Sequence, residues 1–196
     1  CNIFIRLARQ QPWRTEQFSP TESQATKIIH FDFSIIFNEE DYMGLLTALG
    51  IVIGLLVAVW VYVSVGIPSL GLIVWVGVIG WASFYAAGGG IAGLKKAAVC
   101  NVLGAIIAAI AATLAGAIGG GLFTLCALLA IAVFIMCVMA KVDILSFIPG
   151  SFLGAAAFFG SGVKLDASIA MLLVSLVCGS VLGYISEAGG KSIAKA

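Results

Sequence analysis

Six residues that could shape a path or a hinge fall close together: Phe147, Pro149, Gly150, Ser151, Phe152 and Gly154, within "SFIPGSFLGAAAFFGSG" (Ser146 to Gly162). The stretch is almost wholly apolar, yet it holds a Pro-Gly pair. Proline inside a helix removes one backbone donor and clashes with the preceding turn, a cost of about 3 kcal/mol. Here the carbonyl of Leu145 loses its partner, and in a bilayer no water replaces it. Two conformations answer this. A continuous helix can kink, with Ser146 or a neighbouring helix covering the carbonyl; kinks are the commoner outcome. Alternatively, the helix breaks at Pro149-Gly150 and restarts at Ser151, aiming free amides at the membrane interior as discontinuous helices do around solutes. Either way the pair belongs against protein or a pore rather than lipid.

Few other side chains offer chemistry. Asn101 is the strongest polar group inside an apolar run; it either lines a path or makes an interhelical hydrogen bond. Trp81 and Tyr85 lie in a second aromatic stretch, "GWASFYAAG" (Gly80 to Gly88). Together with the phenylalanines after Ser146 they could form an apolar constriction for small uncharged solutes, or serve as core packing and interfacial anchors. No charge falls at the centre of an apolar run, which argues against a proton-coupled pump or a charged ion site. After Met43 there is no histidine, so no His-based triad or metal site is expected there. Cys100, Cys126, Cys137 and Cys178 lack metal-ligand company and read as small apolar fillers. "AAGGGIAG" lacks the ending and the preceding strand of a phosphate loop. The expectation is a protein without enzymatic activity, cofactor or metal.

The elements that carry these residues are membrane helices. The chain has 196 residues, 62% hydrophobic and only 10% charged, with net charge +1 and mean hydropathy +1.17; a soluble domain is roughly 25% charged. Nothing in the charge suggests nucleic acid. Residues 1–42 differ: they hold all three arginines and the only histidine, and none of the 24 glycines. Asn38-Glu39-Glu40-Asp41 implies a purine-rich coding run just before Met43, which reads as a ribosome-binding site. Residues 1–42 are therefore expected to be a non-native or disordered leader, with a genuine cytoplasmic tail or a lipidated Cys1 as the alternatives, and 43–196 the multi-pass domain.

Six spans are expected: Met43 to Val65, Leu70 to Gly88, Ala97 to Ile118, Leu122 to Ala140, Ile144 to Gly160 and Ala167 to Ile185, each near the ~20 residues that cross a bilayer. Lys95, Lys96, Lys141, Lys191 and Lys195 then share one side against Lys164 alone, which puts both termini in the cytoplasm. The expected architecture is an all-α transmembrane bundle. "GWASFYAAG" aligns without gaps to "GAAAFFGSG" (Gly154 to Gly162), and "CNVLG" (Cys100 to Gly104) resembles "CGSVLG" (Cys178 to Gly183). These likenesses are either two inverted three-helix repeats, as in transporters, or chance similarity between Gly/Ala/Phe helices. Glycines four apart (Gly50 and Gly54, Gly116 and Gly120, Gly150 and Gly154, Gly179 and Gly183) suit close helix packing, in the bundle or in a homo-oligomer.

"ILSFIPGSFLGAAAFFGSG" (Ile144 to Gly162), preceded by "GWASFYAAGGGIAGLKK" (Gly80 to Lys96), resembles the YcdZ-like bacterial inner-membrane proteins. The likeness covers Met43 to about Gly190, and Phe147, Pro149, Gly150, Ser151, Phe152 and Gly154 are its most specific part. It implies a multi-pass inner-membrane protein in contact with lipid and supplies no substrate. The sequence thus suggests a passive channel or facilitator for small neutral solutes, or else a structural or accessory subunit that binds a partner through glycine faces.

Overall fold

The structure is a computed structural model that describes residues 39–194, with side chains from Gly44 onward. The expected leader lies outside the described residues but for 39–42. Met43–Ala196 forms one compact unit.

The described residues form α-helices and no strand: α1 (Glu39–Gly66), α2 (Val74–Ala86), α3 (Gly90–Ile118), α4 (Gly121–Met139), α5 (Ile148–Ser161) and α6 (Ser168–Ala194). Residues Gly44–Gly66 of α1, together with α3, α4 and α6, are long and apolar enough to cross a bilayer; α2 and α5, of 13 and 14 residues, are shorter apolar helices. At 1.5 Å per residue each short helix covers about 20 Å, less than the ~30 Å hydrocarbon core. Each is preceded by a short 3-10 turn, Pro68–Leu70 and Asp143–Leu145. Large apolar side chains are exposed all round, among them Leu55, Tyr62, Phe123 and Phe134. In water such a surface would aggregate; in lipid it is solvated. The chain is an integral multi-pass membrane protein.

Pro149 takes neither expected conformation. It sits in the first turn of α5, where the missing N–H has no intrahelical partner to lose. The helix is not kinked there and does not restart at Ser151; it begins at Ile148. Two other boundaries move. The helix α3 starts at Gly90 rather than Ala97, and α6 runs to Ala194 rather than Ile185. Charged residues end a hydropathy run but not a helix that continues into water.

Helices α2 and α6 run side by side in the same direction, from Gly71 near Met171 to Gly90 at Glu187. Likewise α3 and α5 run together, from Lys96 at Ser146 through Cys100 against Gly150. Both pairs approach backbone to backbone. A Cβ on Gly80 would stand 2.1 Å from the Leu176 carbonyl oxygen, and one on Gly179 would stand 1.8 Å from that of Gly77. In the other pair, a Cβ on Gly154 would lie 1.9 Å from the Asn101 carbonyl oxygen, and one on Gly104 1.9 Å from that of Ser151. Only glycine permits these four approaches. The core lies among these four helices, with Val76, Ala105, Ala109, Ala157, Leu172 and Leu176 all buried.

The helix α1 is held mainly by side chains. The Trp60 indole N–H donates to the Val74 carbonyl (2.9 Å), and its ring covers Gly77; Leu49 packs on Gly190. Of the glycines expected to pack, Gly179 and Gly183 meet α2, and Gly150 and Gly154 meet α3. Gly50, Gly54 and Gly116 face open space, and Gly120 faces Thr124 of its own chain segment. The four-residue spacing does not by itself say which face meets a partner. Gly77, Gly80 and Gly104, which do meet one, have no such partner glycine four residues away. Cys126 and Cys137 are exposed rather than filling the core, whereas Cys100 is buried.

Candidate functional site

The centre of the four-helix core is mostly apolar. Its buried polar side chains are neutral: Asn101 and serines including Ser83, Ser151, Ser175 and Ser180. The Ser83 hydroxyl on α2 donates to Asn101 Oδ1 on α3 (3.1 Å). Asn101 Nδ2 is buried with no partner, and an unpaired amide of this kind costs about 1–3 kcal/mol. Ser175 accepts the Ile73 amide (2.9 Å) and donates to the Met171 carbonyl, satisfying backbone where the chain enters α2. The Ser180 hydroxyl shares its one proton between the Gly80 carbonyl (3.2 Å) and that of Leu176 (3.1 Å).

One end of the bundle is closed by polar contacts. Gly88, Gly89 and Gly90 all have positive φ (96°, 69° and 63°), a turn that residues with a Cβ rarely follow. It brings the start of α3 onto Glu187, whose Oε2 accepts the Gly90 amide (2.7 Å). A carboxylate at a helix N-terminus is favourable, because the unpaired amides there carry partial positive charge. Lys191 pairs with the other carboxylate oxygen. Beneath, the Trp81 indole donates to Ser186 Oγ (3.0 Å), which itself donates to the Gly183 carbonyl (2.7 Å). The Ser186 proton is thereby used, so Tyr85 donates its hydroxyl to the same oxygen (2.8 Å). Lys96 bridges Asp143 (2.9 Å) and Ser146 (3.1 Å) at this end too.

The other end is open. A cavity of about 640 Å³ lies between the far halves of α3 and α5 and the segment that leads into α6. Ala112, Thr113 and Gly116 form one wall, Phe158 and Phe159 the opposite one, and Lys164 and Asp166 stand at the rim. The two phenylalanine rings meet edge to face, 5.3 Å apart. Asp166 lies two residues ahead of α6: the Ser168 hydroxyl (2.6 Å) and amide (2.8 Å) both donate to its Oδ1 and hold its carboxyl below the usual carboxylate range. Two further cavities, between α3 and α4 and between α1 and α6, have apolar linings that include Ile131 and Val177.

Of the residues singled out from sequence, Gly154 is brought onto Asn101, and Ser151 onto the nearby Gly104, at the contact of α3 with α5, but they do not gather around a cavity with the others. Phe147 lays its ring against Gly150, and Ser151 and Gly154 are buried against α3. Phe152 points outward (43% exposed) and Pro149 is exposed at the start of α5. Trp81 and Tyr85 sit at the closed end. Asn101 makes an interhelical hydrogen bond and lines none of the three cavities. Sequence reasoning missed Ser83, Ser186 and the cavity wall at Ala112, Thr113 and Gly116. Ser186 meets Trp81 from 105 positions away on another helix, so no local spacing pointed to it; the alanine and glycine of the wall carried no sign either.

Residues 50–191 match a family described as "Protein of unknown function (DUF1097)". The chain belongs to that family. It is 36% identical over 162 residues to "Uncharacterized protein YahC" of Escherichia coli (strain K12), covering 79% of this chain and 96% of the relative. To "Inner membrane protein YcdZ" of the same organism it is 33% identical over 150 residues, 76% of this chain and 87% of the relative. The Salmonella typhimurium protein of that name is also 33% identical, with 76% and 89% covered. The YcdZ-like resemblance read from the Pro-Gly stretch thus holds for a DUF1097 chain. No solved structure matches it.

Proposed function

We propose that this chain is a bacterial inner-membrane facilitator for small neutral solutes, built from two inverted halves, α1–α3 and α4–α6, that together cross the bilayer six times. One observation carries the reading: the paired backbone approaches are equivalent. Gly80 on the Leu176 carbonyl corresponds to Gly154 on that of Asn101, and Gly179 on the Gly77 carbonyl to Gly104 on that of Ser151. On this reading α2 matches α5 and α3 matches α6 at nearly constant spacing. Buried positions follow the same rule: Ala97, Cys100, Gly104, Ala105 and Ala108 correspond to Leu172, Ser175, Gly179, Ser180 and Gly183. The alike "CNVLG" and "CGSVLG" are not equivalent in this register. Each half also repeats the order of long helix, 3-10 turn, short helix and long helix.

Odd-numbered repeats are inverted across the membrane, and irregular backbone ahead of a short helix is tolerated only against protein or a cavity; both are features of solute carriers. The neutral interior favours solutes without net charge. Lys95, Lys96, Lys191 and Asp143 share the closed end, which by the lysine excess is cytoplasmic, as are both termini. The reading assigns no reaction to the protein. A second reading, an accessory subunit or homo-oligomer without a pore, is favoured by Gly50 and Gly54, whose face of α1 meets nothing within 4 Å.

Reconstitution separates the two. Stopped-flow light scattering of liposomes carrying the protein, challenged with water, glycerol, urea and small amino acids, is expected to show permeation above protein-free liposomes. Folded protein with no flux for any solute would overturn the facilitator and leave the α1 face to be explained.

A further inference from the structure

Under the equivalence just drawn, the open cavity has a counterpart at the closed end, and the two are built differently. Phe158, Phe159 and Gly162 correspond to Phe84, Tyr85 and Gly88. Ala112, Thr113 and Gly116 correspond to Glu187, Ala188 and Lys191. At the closed end the Glu187 carboxylate and its Lys191 partner occupy the space and tie α6 to the start of α3. At the open end alanine and glycine stand in their places, and a Cβ on Gly116 would meet nothing within 4 Å. The chain also takes a longer course into α6, which brings Lys164 and Asp166 to the rim. An ion pair built into the wall at one end is thus replaced at the other by a vacant wall with one cation and one anion at its mouth.

Resting on the facilitator reading, we propose that this cavity binds a zwitterion with an apolar body: an ammonium group at Asp166, an anionic group at Lys164, and the apolar part against Phe158 and Phe159. The chemistry of the rim supports it. Both Ser168 bonds fall on Asp166 Oδ1, which leaves Oδ2 to accept from an ammonium. Lys164 stands close enough to lower the Asp166 carboxyl, though less than the Ser168 bonds do, and no salt bridge joins the two. The Thr113 hydroxyl donates to the Ala109 carbonyl (2.8 Å), so it meets a ligand as an acceptor. The volume, about 640 Å³, lies within the usual range of small-molecule sites. Lys164 and Asp166 are both exposed, and a zwitterion answers the two at once while adding no net charge to a neutral interior. A free amino acid with an aliphatic side chain and a phosphatidylethanolamine headgroup share this chemistry.

Isothermal titration calorimetry on the full chain in detergent tests it. The probes are leucine, isocaproate and isoamylamine, with dioleoylphosphatidylethanolamine and dioleoylphosphatidylcholine in mixed micelles as a separate arm. Leucine or the ethanolamine lipid should bind, and the two singly charged analogues should bind at least tenfold more weakly than leucine if leucine is the ligand. Lys164→Met and Asp166→Asn (the latter still able to cap α6) should each weaken binding about tenfold. Gly116→Trp should abolish it while the melting temperature stays within a few degrees, because its side chain enters open space. Leucine alone binding identifies a free solute; the ethanolamine lipid alone identifies a headgroup site. Binding of neither, or binding indifferent to all three variants, overturns the proposal. Flux that persists unchanged in Gly116→Trp overturns the site and leaves the facilitator standing. Binding without any flux does the reverse.

Discussion

Replacing Gly154 by alanine should separate α5 from α3. The added Cβ would lie 1.9 Å from the Asn101 carbonyl oxygen, where ordinary contact begins at 3.4 Å. Both atoms belong to backbone, so no side chain can rotate away, and the helices must part by more than an ångström. Overpacking of this kind costs about 1–3 kcal/mol, partly offset by the better helix propensity of alanine, up to about 1 kcal/mol. For a chain of this size 1 kcal/mol moves the melting temperature by about 2–4 °C, so a fall of several degrees is expected. Gly80→Ala, with 2.1 Å to the Leu176 carbonyl oxygen, should behave alike, because α2 meets α6 as α5 meets α3. The control is Gly54→Ala, which meets nothing within 4 Å and should be neutral or slightly stabilising. Thermal unfolding in detergent, followed by circular dichroism, reads all three. If Gly154→Ala and Gly80→Ala melt no lower than Gly54→Ala, the backbone contacts do not set the packing and the equivalence of the halves falls with them.

Three further outcomes follow from the polar contacts. Ser83→Ala should cost about 1–3 kcal/mol by leaving all of Asn101 unpaired, and the double variant Ser83→Ala, Asn101→Leu should recover most of it, since the equivalent positions hold Ala157 and Leu176; a thermal double-mutant cycle measures this. Glu187→Ala should loosen the start of α3, seen as faster amide exchange at Gly90, whereas Lys191→Ala should leave that amide protected because the Gly90 bond remains. Asp166 has a lowered carboxyl pKa, chiefly from the Ser168 hydroxyl, so its cap on α6 is fully present above the ordinary carboxylate range and lost only as pH falls through the lowered value. Ser168→Ala should move that acid loss upward in pH, read from melting temperature against pH.

The membrane class and the all-helical architecture of the described residues were legible because hydropathy acts locally. Other features depend on which face meets which. Gly50 and Gly54 have the same spacing as Gly179 and Gly183, yet only the second pair meets a helix. Pro149 could be read as a kink or a break, because sequence does not show that a 3-10 turn precedes it and lets the helix begin there. The cavity was least legible: its wall is defined by what Ala112 and Gly116 lack, and its meaning depends on Glu187 and Lys191 in the other half.

The pairing of α2 with α6 also bears on how the chain is made. Its hydrogen bonds join residues about a hundred positions apart, Trp81 to Ser186 and Ser180 to Gly80. Synthesis proceeds from the N-terminus at roughly 5–20 residues per second, so α2 leaves the ribosome several seconds before its partner exists. During that interval it is a 13-residue apolar helix, shorter than the hydrocarbon core, with its glycine face bare. The partner of α5, by contrast, is α3, already made when α5 emerges. Helix α5 can thus assemble on arrival, while α2 must wait for the last helix. A chain stopped before Ser168 is expected to be cleared by membrane proteases in pulse-chase experiments, although most of its helices are complete.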